Sequence, residues 1–471
     1  MTSEEQSEAP LMLSVSGCRG IVGRSLTPET IARFASTLAG HVRVRRGVET
    51  PTVVLGGDGR RGGDLLQSVA AASLAASGCR VIRLRVATTP TVGVMVLHHQ
   101  ADAGLVVTAS HNPGEWNGLK AITAEGSAPL PDEAAALIER FRSGATHYVE
   151  PDRFGEVVGD DTAAHVHVAH VLRAIERIIP ISRIASRRFR VVLDSVNASG
   201  ALAGRMLLEA LGCEIIHVNA DGSGIFPHPP EPTRENLREM ATQVRINDAS
   251  VGFAQDPDAD RLALIDASGR YIGEEYTLAL GVMAVLSAQE SGAVTAANLS
   301  TSRMIDDVAA LTGARVLRTP VGEANLVRAM RAEGCIVGGE GNGGVIWPEI
   351  VSIRDSLAAM ALTLALMTDR GASLAELVDS IPSYSIEKRK MPIREGLAAT
   401  AMRAVRAGWP DATADDQDGL RLDFTLEGGG QAWIHVRASN TEPIFRLIAE
   451  APTDAQARAV LDRAESLIAE A

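Results

Sequence analysis

Residues 252–266 read GFAQDPDADRLALID and put Asp256, Asp258 and Asp260 at alternate positions of one short loop. Three carboxylates that can converge on a point offer oxygen ligands only, which suit a hard cation, Mg2+ above all. An EF-hand calcium loop also begins with alternating aspartates, but it needs Gly at its sixth position and Glu at its twelfth, where this chain has Arg261 and Ala267. A solvated acidic turn is the plainer alternative, and it leaves like charges crowded together.

A lone serine, Ser110, lies in TASHNPGEWNGLK (108–120), directly after the apolar run 104–107. A buried strand followed by small, polar, turn-forming residues presents a side chain at the carboxyl edge of a sheet. Metal and serine together point to phosphoryl chemistry: magnesium held by carboxylates neutralises phosphate charge, and a serine hydroxyl can carry the phosphoryl group covalently. Arg261 is placed to hold a phosphoryl oxygen or a neighbouring carboxylate. A phosphatase of the aspartyl-nucleophile type would use Asp256 and Asp258, leaving Asp260 and the serine loop without a role.

Two further stretches have matching inventories. VRASNTEPIFR (436–446) offers the Arg437 fork with Ser439, Asn440 and Thr441 as neutral donors, a set suited to a dianionic phosphate. Alone it reads first as an Asx or Ser/Thr turn beside a surface arginine. GGEGNGGVIWP (338–348) lets backbone approach a ligand closely, with Glu340 and Asn342 placed to grip sugar hydroxyls. Arg19 is a lesser candidate for a phosphoserine contact, and Asp58 with Arg60 reads as a structural ion pair. In HVHVAH (165–170) the spacing of His165, His167 and His170 does not put all three on one helix face, so a solvated surface is expected there rather than zinc. His435 alternates into a strand and reads as structural.

The elements that must carry these loops repeat. LAASGCRVIRL (74–84), LLEALGCEIIHV (207–218) and AALTGARVLRT (309–319) each run from a helical stretch through Gly into a β-branched segment that reads as a buried strand. Any α/β protein reuses this unit, but three copies imply three related α/β domains in tandem. The C-terminal part differs: RLDFTL, a triple-glycine turn, AWIHVRAS, FRLIAEA and an amphipathic helix from Asp454 make a small module of antiparallel strands closed by a helix. The expected organisation is a tail at 1–10, α/β domains at 11–155, 156–266 and 267–382, and an α+β domain at 383–471.

A chain of 471 residues is too long for one core. Its net charge of -13 argues against nucleic acid or an anionic membrane as partner, and 3% aromatics leave little for base stacking. The cysteines at 18, 79, 213 and 335 show no paired spacing, which fits reduced thiols in the cytoplasm. The N-terminus has no signal-peptide pattern, and the longest apolar run, 357–367, is short of the roughly 20 residues of a membrane span.

TASHNP with NGLK, DPDADR, GEGNGG and RASNTEP, in this order, resemble the α-D-phosphohexomutase superfamily over nearly the whole chain. The resemblance implies three similar α/β domains with mixed sheets and a smaller fourth, heart-shaped around a central cleft, each giving one loop to the site. It makes Ser110 the phosphoserine, with Asp256, Asp258 and Asp260 holding one Mg2+ per chain together with its phosphate. Glu340 and Asn342 become sugar contacts, and Arg437, Ser439, Asn440 and Thr441 hold the non-reacting phosphate. His111 and Lys120 fall near the phosphoserine, assisting proton transfer or balancing charge, and Arg19 matches the arginine of the first loop.

The implied reaction interconverts hexose 6-phosphate and hexose 1-phosphate through a hexose 1,6-bisphosphate, which also serves as activator, in a monomer or homodimer. Glucosamine phosphate is the first expectation, with mannose or glucose phosphate next; a metal-dependent sugar phosphatase and a non-catalytic phosphosugar-binding protein are the rivals. One departure bears on the sugar. Many members read GE-x-SGH where this chain has Asn342 for the serine and Gly344 for the histidine, a form that looks like the archaeal-type branch labelled phosphoglucosamine mutase or phosphomannomutase.

Overall fold

The computed structural model describes residues 10–15, 17–289, 291–392, 398–438 and 444–470. Its strands form a seven-stranded sheet, two four-stranded sheets and a five-stranded sheet. The first three share one frame. In the first, Arg80–Val86, Thr52–Gly57 and Ala103–Val107 lie parallel in that order, and Trp116–Thr123 returns antiparallel beside the last. Glu214–Val218, Arg190–Asp194, Val251–Gln255 and Leu262–Asp266 repeat this order and sense, and so do Arg315–Thr319, Val294–Asn298, Val337–Glu340 and Gly344–Ile346. The first sheet adds Met12–Ser14 and Gly17–Ile21 beyond Trp116–Thr123, and Val157–Gly159 beyond Arg80–Val86.

The helix-Gly-strand copies fall where the frame needs them. Gly78, Gly212 and Gly313 have φ of 79°, 74° and 67° at the ends of the helices Gly63–Ala76, Gly200–Ala210 and Met304–Thr312. A left-handed residue closes a helix and turns the chain into the next strand, and a side chain there crowds its own carbonyl. The strands that follow are less buried than their composition indicates. Glu214–Val218 and Arg315–Thr319 are half-buried because each is the edge of its sheet.

Helices of the three α/β units share a continuous apolar core, running from Val54 and Val92 through Val171 and Leu207 to Leu280 and Leu362. Its centre is Ser356–Arg370, which carries the 357–367 run and is buried along almost its whole length, as an all-round apolar helix must be. No helix among the described residues is long and apolar enough to cross a membrane. One polar pin crosses this core. His167 is fully buried, not solvated as the sequence pattern implied: its Nδ1 is 2.9 Å from Thr91 Oγ1 and its Nε2 2.9 Å from Asp355 Oδ2. The helix Ala163–Glu176 packs against both Thr89–His98, which carries Thr91, and Ser356–Arg370, which Asp355 caps, so position 167 reaches both; His165 remains exposed.

The fourth sheet, antiparallel throughout, runs Ser385–Pro392, Ile444–Ala451, Gln431–Ala438, Leu420–Thr425 and Thr413–Asp415, with its own core under Ala398–Gly408 and Asp454–Ala469. It docks on the third unit through polar contacts: His435 Nδ1 to Ser300 Oγ at 2.9 Å, Arg421 Nη1 to Leu299 O at 2.7 Å and Val321 N to Asp418 Oδ2 at 3.0 Å.

The cap glycines differ in what surrounds them. At Gly313 an added Cβ meets nothing closer than 3.5 Å, whereas at Gly212 it lies 2.8 Å from the Ala185 Cα. Denaturant midpoints should therefore place Gly313→Ala about 1 kcal/mol below the parent, and Gly212→Ala about 1–3 kcal/mol lower again through overpacking.

Candidate active site

The serine loop (108–115), the aspartate loop (256–261) and the Gly-rich loop (341–343) occupy one topological position. Each joins the third strand of its frame to the returning antiparallel strand, at the carboxyl edge of the parallel strands. Three different sequences thus meet by virtue of one repeated fold.

Ser110 is buried with φ of 50°, a strained conformation for a side-chain-bearing residue. The brace beneath it is the Asp58–Arg60 pair, which therefore does more than pair charges. Arg60 Nε donates to Asp58 Oδ2 at 2.8 Å, while Nη2 donates to Ser110 O at 2.6 Å and Nη1 to Trp116 O at 2.7 Å. Thr108 Oγ1 donates to Asp58 at 2.6 Å and accepts from Ser110 N at 2.9 Å. Neither charge reaches solvent, so each needs the other.

Held this way, Ser110 Oγ donates to Asp256 Oδ2 at 3.1 Å. Ligand atoms of Asp256, Asp258 and Asp260 lie within 4.8 Å of one another. The loop is tied by its backbone to three helix starts. Pro257 O accepts from Ser199 Oγ at 2.7 Å, Asp258 O from Thr89 N at 2.9 Å and Ala259 O from Ser356 N at 3.2 Å. These residues begin the helices of the second, first and third units.

Charge in the loop is unevenly shared. Burial, together with Asp258 and Asp260, pushes Asp256 well above the carboxylate range. Burial would raise the other two as well, but Lys120 outweighs it at Asp258 and Arg354 at Asp260, and both are held low. Lys120 Nζ lies 2.8 Å from Asp258 and 3.2 Å from Asp260, and Thr89 Oγ1 donates to Asp258 at 2.6 Å. Asp258 Oδ1 and Asp260 Oδ1 are buried with no hydrogen-bond partner. Oxygen donors with orphaned buried atoms fit a divalent cation, whose charge would relieve the crowding.

The remaining candidates surround this centre. Arg19 Nη1 donates to the Asn112 side chain at 3.2 Å. His111 Nδ1 is 3.4 Å from Ser110 Oγ, and burial, then Arg261 and Arg19, pull its imidazole down to about 3, so it is neutral near pH 7. Arg261 Nε is 3.9 Å from Asp260 Oδ1. In the Gly-rich loop, Glu340 Oε1 accepts from Asn298 Nδ2 at 3.0 Å and Oε2 from Arg354 Nη1 at 2.9 Å, while Asn342 Oδ1 is buried without a partner. Leu262 N donates to Gly343 O at 3.1 Å, joining this loop to the aspartate loop.

Arg437 stands apart, 3.5 Å from Asp418; among the described residues no hydrogen bond or ion pair joins it to the serine or aspartate loop. Ser439, Asn440 and Thr441 lie outside the described residues. Arg354, Thr89, Glu323 and Asn298 were not singled out from sequence. The one local signal was an Arg-Asp pair at the mouth of a long apolar helix.

Four phosphoglucomutase/phosphomannomutase family models match the chain: alpha/beta/alpha domain I at residues 12–147, domain II at 167–269, domain III at 274–384 and the C-terminal domain at 393–466. A Methanopyrus kandleri protein named "Probable phosphoglucosamine mutase" is 36% identical over 95% of each chain. A Thermococcus kodakarensis "Phosphoglucomutase/phosphomannomutase" is 36% identical over 97% of this chain and 98% of its own. The crystal structure of a phosphoglucomutase/phosphomannomutase family protein from Burkholderia thailandensis superposes with a TM-score of 0.80 at 25% identity, covering 97% of this chain and 98% of that one.

The Arg60 brace is separable from the chemistry. Arg60→Met strands a buried Asp58 and should cost about 3–5 kcal/mol. Arg60→Lys keeps the charge but loses the fork, so faster amide exchange across 108–117 is expected in a folded protein. Unchanged exchange would show that the loop holds itself.

Proposed function

The chain belongs to the phosphoglucomutase/phosphomannomutase family, and from that premise we propose that this phosphohexomutase works through a phosphorylated Ser110 and a hexose 1,6-bisphosphate. The carrying observation is the Ser110 hydroxyl, held in left-handed backbone and directed at a buried carboxylate triad 3.1 Å away. In the first half-reaction the bond from phosphorus to Ser110 Oγ breaks as one forms to the free sugar hydroxyl, whose proton must leave. In the second the bond from the other phosphorus to its sugar oxygen breaks as one re-forms to Ser110 Oγ, and a proton returns to that sugar oxygen. His111 beside Oγ is the proposed acceptor: the negative charge of a phosphoryl group there would raise an imidazole that burial, Arg261 and Arg19 hold low.

Asp256, Asp258 and Asp260 would hold Mg2+, which supplies positive charge to the phosphoryl oxygens when bound. Lys120, Arg19 and Arg261 add fixed positive charge around the same point, where low dielectric makes it count. Glu340 and Asn342 are the proposed sugar contacts, and Arg437 with Ser439, Asn440 and Thr441 the proposed hold on the second phosphate. Glucosamine phosphate is the first substrate to try. The two 36% relatives carry different sugar names, so mannose and glucose phosphates come next. Free cysteines at all four positions support a cytoplasmic enzyme.

Interconversion of the 1- and 6-phosphates of glucosamine, mannose and glucose, with a trace of bisphosphate, is the direct assay. Turnover of none of the three would overturn the reading. Ser110→Ala should abolish interconversion and remove the phosphate seen by intact mass, whereas a phosphatase using Asp256 would tolerate the change and release free phosphate. Chelation should remove activity, and added Mg2+ should restore it.

A further inference from the structure

Arg354 joins three carboxylates from three segments of the chain. Its Nη2 is 2.7 Å from Asp260 Oδ2 in the aspartate loop, its Nε 2.7 Å from Glu323 Oε2 at the start of Glu323–Glu333, and its Nη1 2.9 Å from Glu340 Oε2 beside the Gly-rich loop. Burial alone would lower the guanidinium, but Asp260, Glu323 and Glu340 outweigh it and raise it well above its ordinary value. Both Nη groups donate hydrogen bonds, one to Glu340 and one to Asp260, while Nε pairs with Glu323 by charge alone; what Arg354 does is set Glu340 against Asp260.

Its stem passes beside Gly344. A Cβ at that position would fall 2.2 Å from Arg354 Cδ and 2.7 Å from Cγ. Gly344 is absent from the residues with left-handed φ, so its backbone is open to other residues and the space for Arg354 is what glycine supplies.

We propose that Gly344 and Arg354 act as one positioning unit: the missing side chain lets the arginine through, and the arginine fixes the sugar-side Glu340 relative to the metal-side Asp260. The inference rests on the site reading above. Glu340 is thereby oriented from both sides, Oε1 by Asn298 and Oε2 by Arg354, and each oxygen keeps a lone pair for a sugar hydroxyl. A lysine, with a compact point charge, cannot span three carboxylates.

Calorimetric affinity for glucosamine 6-phosphate, or for whichever of the three sugar phosphates the parent binds, tests this alongside KM and kcat. Arg354→Lys and Gly344→Ala should each weaken binding about tenfold, with KM rising more than kcat falls. The double variant should be no weaker than either single, because both break the same unit, whereas independent lesions would multiply to about 100-fold. Glu323→Gln, which removes one leg of the bridge and leaves Asp260 and Glu340 in place, should give a smaller loss in the same direction and keeps the test open if either other variant fails to fold. Multiplying losses, or parental affinity in Arg354→Lys or Glu323→Gln, would overturn the proposal alone. A parent protein that binds no hexose phosphate would overturn the site reading with it.

Discussion

Three consecutive carbonyls, of Pro257, Asp258 and Ala259, each accept a hydrogen bond from the start of a different helix, and those helices belong to three different units. The rest of the site depends on this arrangement. The loop they belong to must keep three carboxylates within 4.8 Å of one another, against their repulsion. A free hairpin turn would splay. Here the backbone has little freedom to yield, and Ala259 is itself held at φ of 53°. Each bond contributes only about 1 kcal/mol net, but together they make the loop the meeting point of the three-unit core.

The charges follow the same logic. Asp256, Asp258, Asp260, Glu323 and Glu340 face Lys120, Arg354, Arg261 and Arg19 in a region largely closed to water. Lys120 and Arg354 hold one oxygen each of Asp258 and Asp260, while the other oxygen of each is buried without a hydrogen-bond partner. Protein groups thus offset part of the repulsion, and two buried carboxylate oxygens of the loop remain unpaired. Preorganised charge of this kind is worth more in a dry site than in solvent.

How much of this was legible in the sequence depended on distance along the chain. Ser110, the three aspartates, Glu340 and Asn342 stand in short stretches whose composition is itself the signal, and the helix-Gly-strand copies mark cap positions now seen with left-handed φ. Three of the five strands of the fourth unit, 420–425, 431–438 and 444–451, could be read from their alternation and their glycines. Arg354 could not be read that way, because its partners at 260 and 323 are remote and no local spacing encodes them. His167 misled for a related reason. Its helix is amphipathic in the ordinary sense, and only the packing of two other helices against it turns a polar position inward. Edge strands were also overread, since β-branched composition reports a sheet but not the place within it.

The shared position of the three site loops has a consequence for descent. A turn between two antiparallel strands can be lengthened, shortened or rewritten without shifting the register on either side, so copies of one frame can diverge in chemistry while their geometry stays common. A duplicated ancestral unit would already have aimed three turns at similar edges. The proposed phosphoryl carrier, cation cradle and sugar grip would then require drift within three short segments rather than the assembly of a site from unrelated parts.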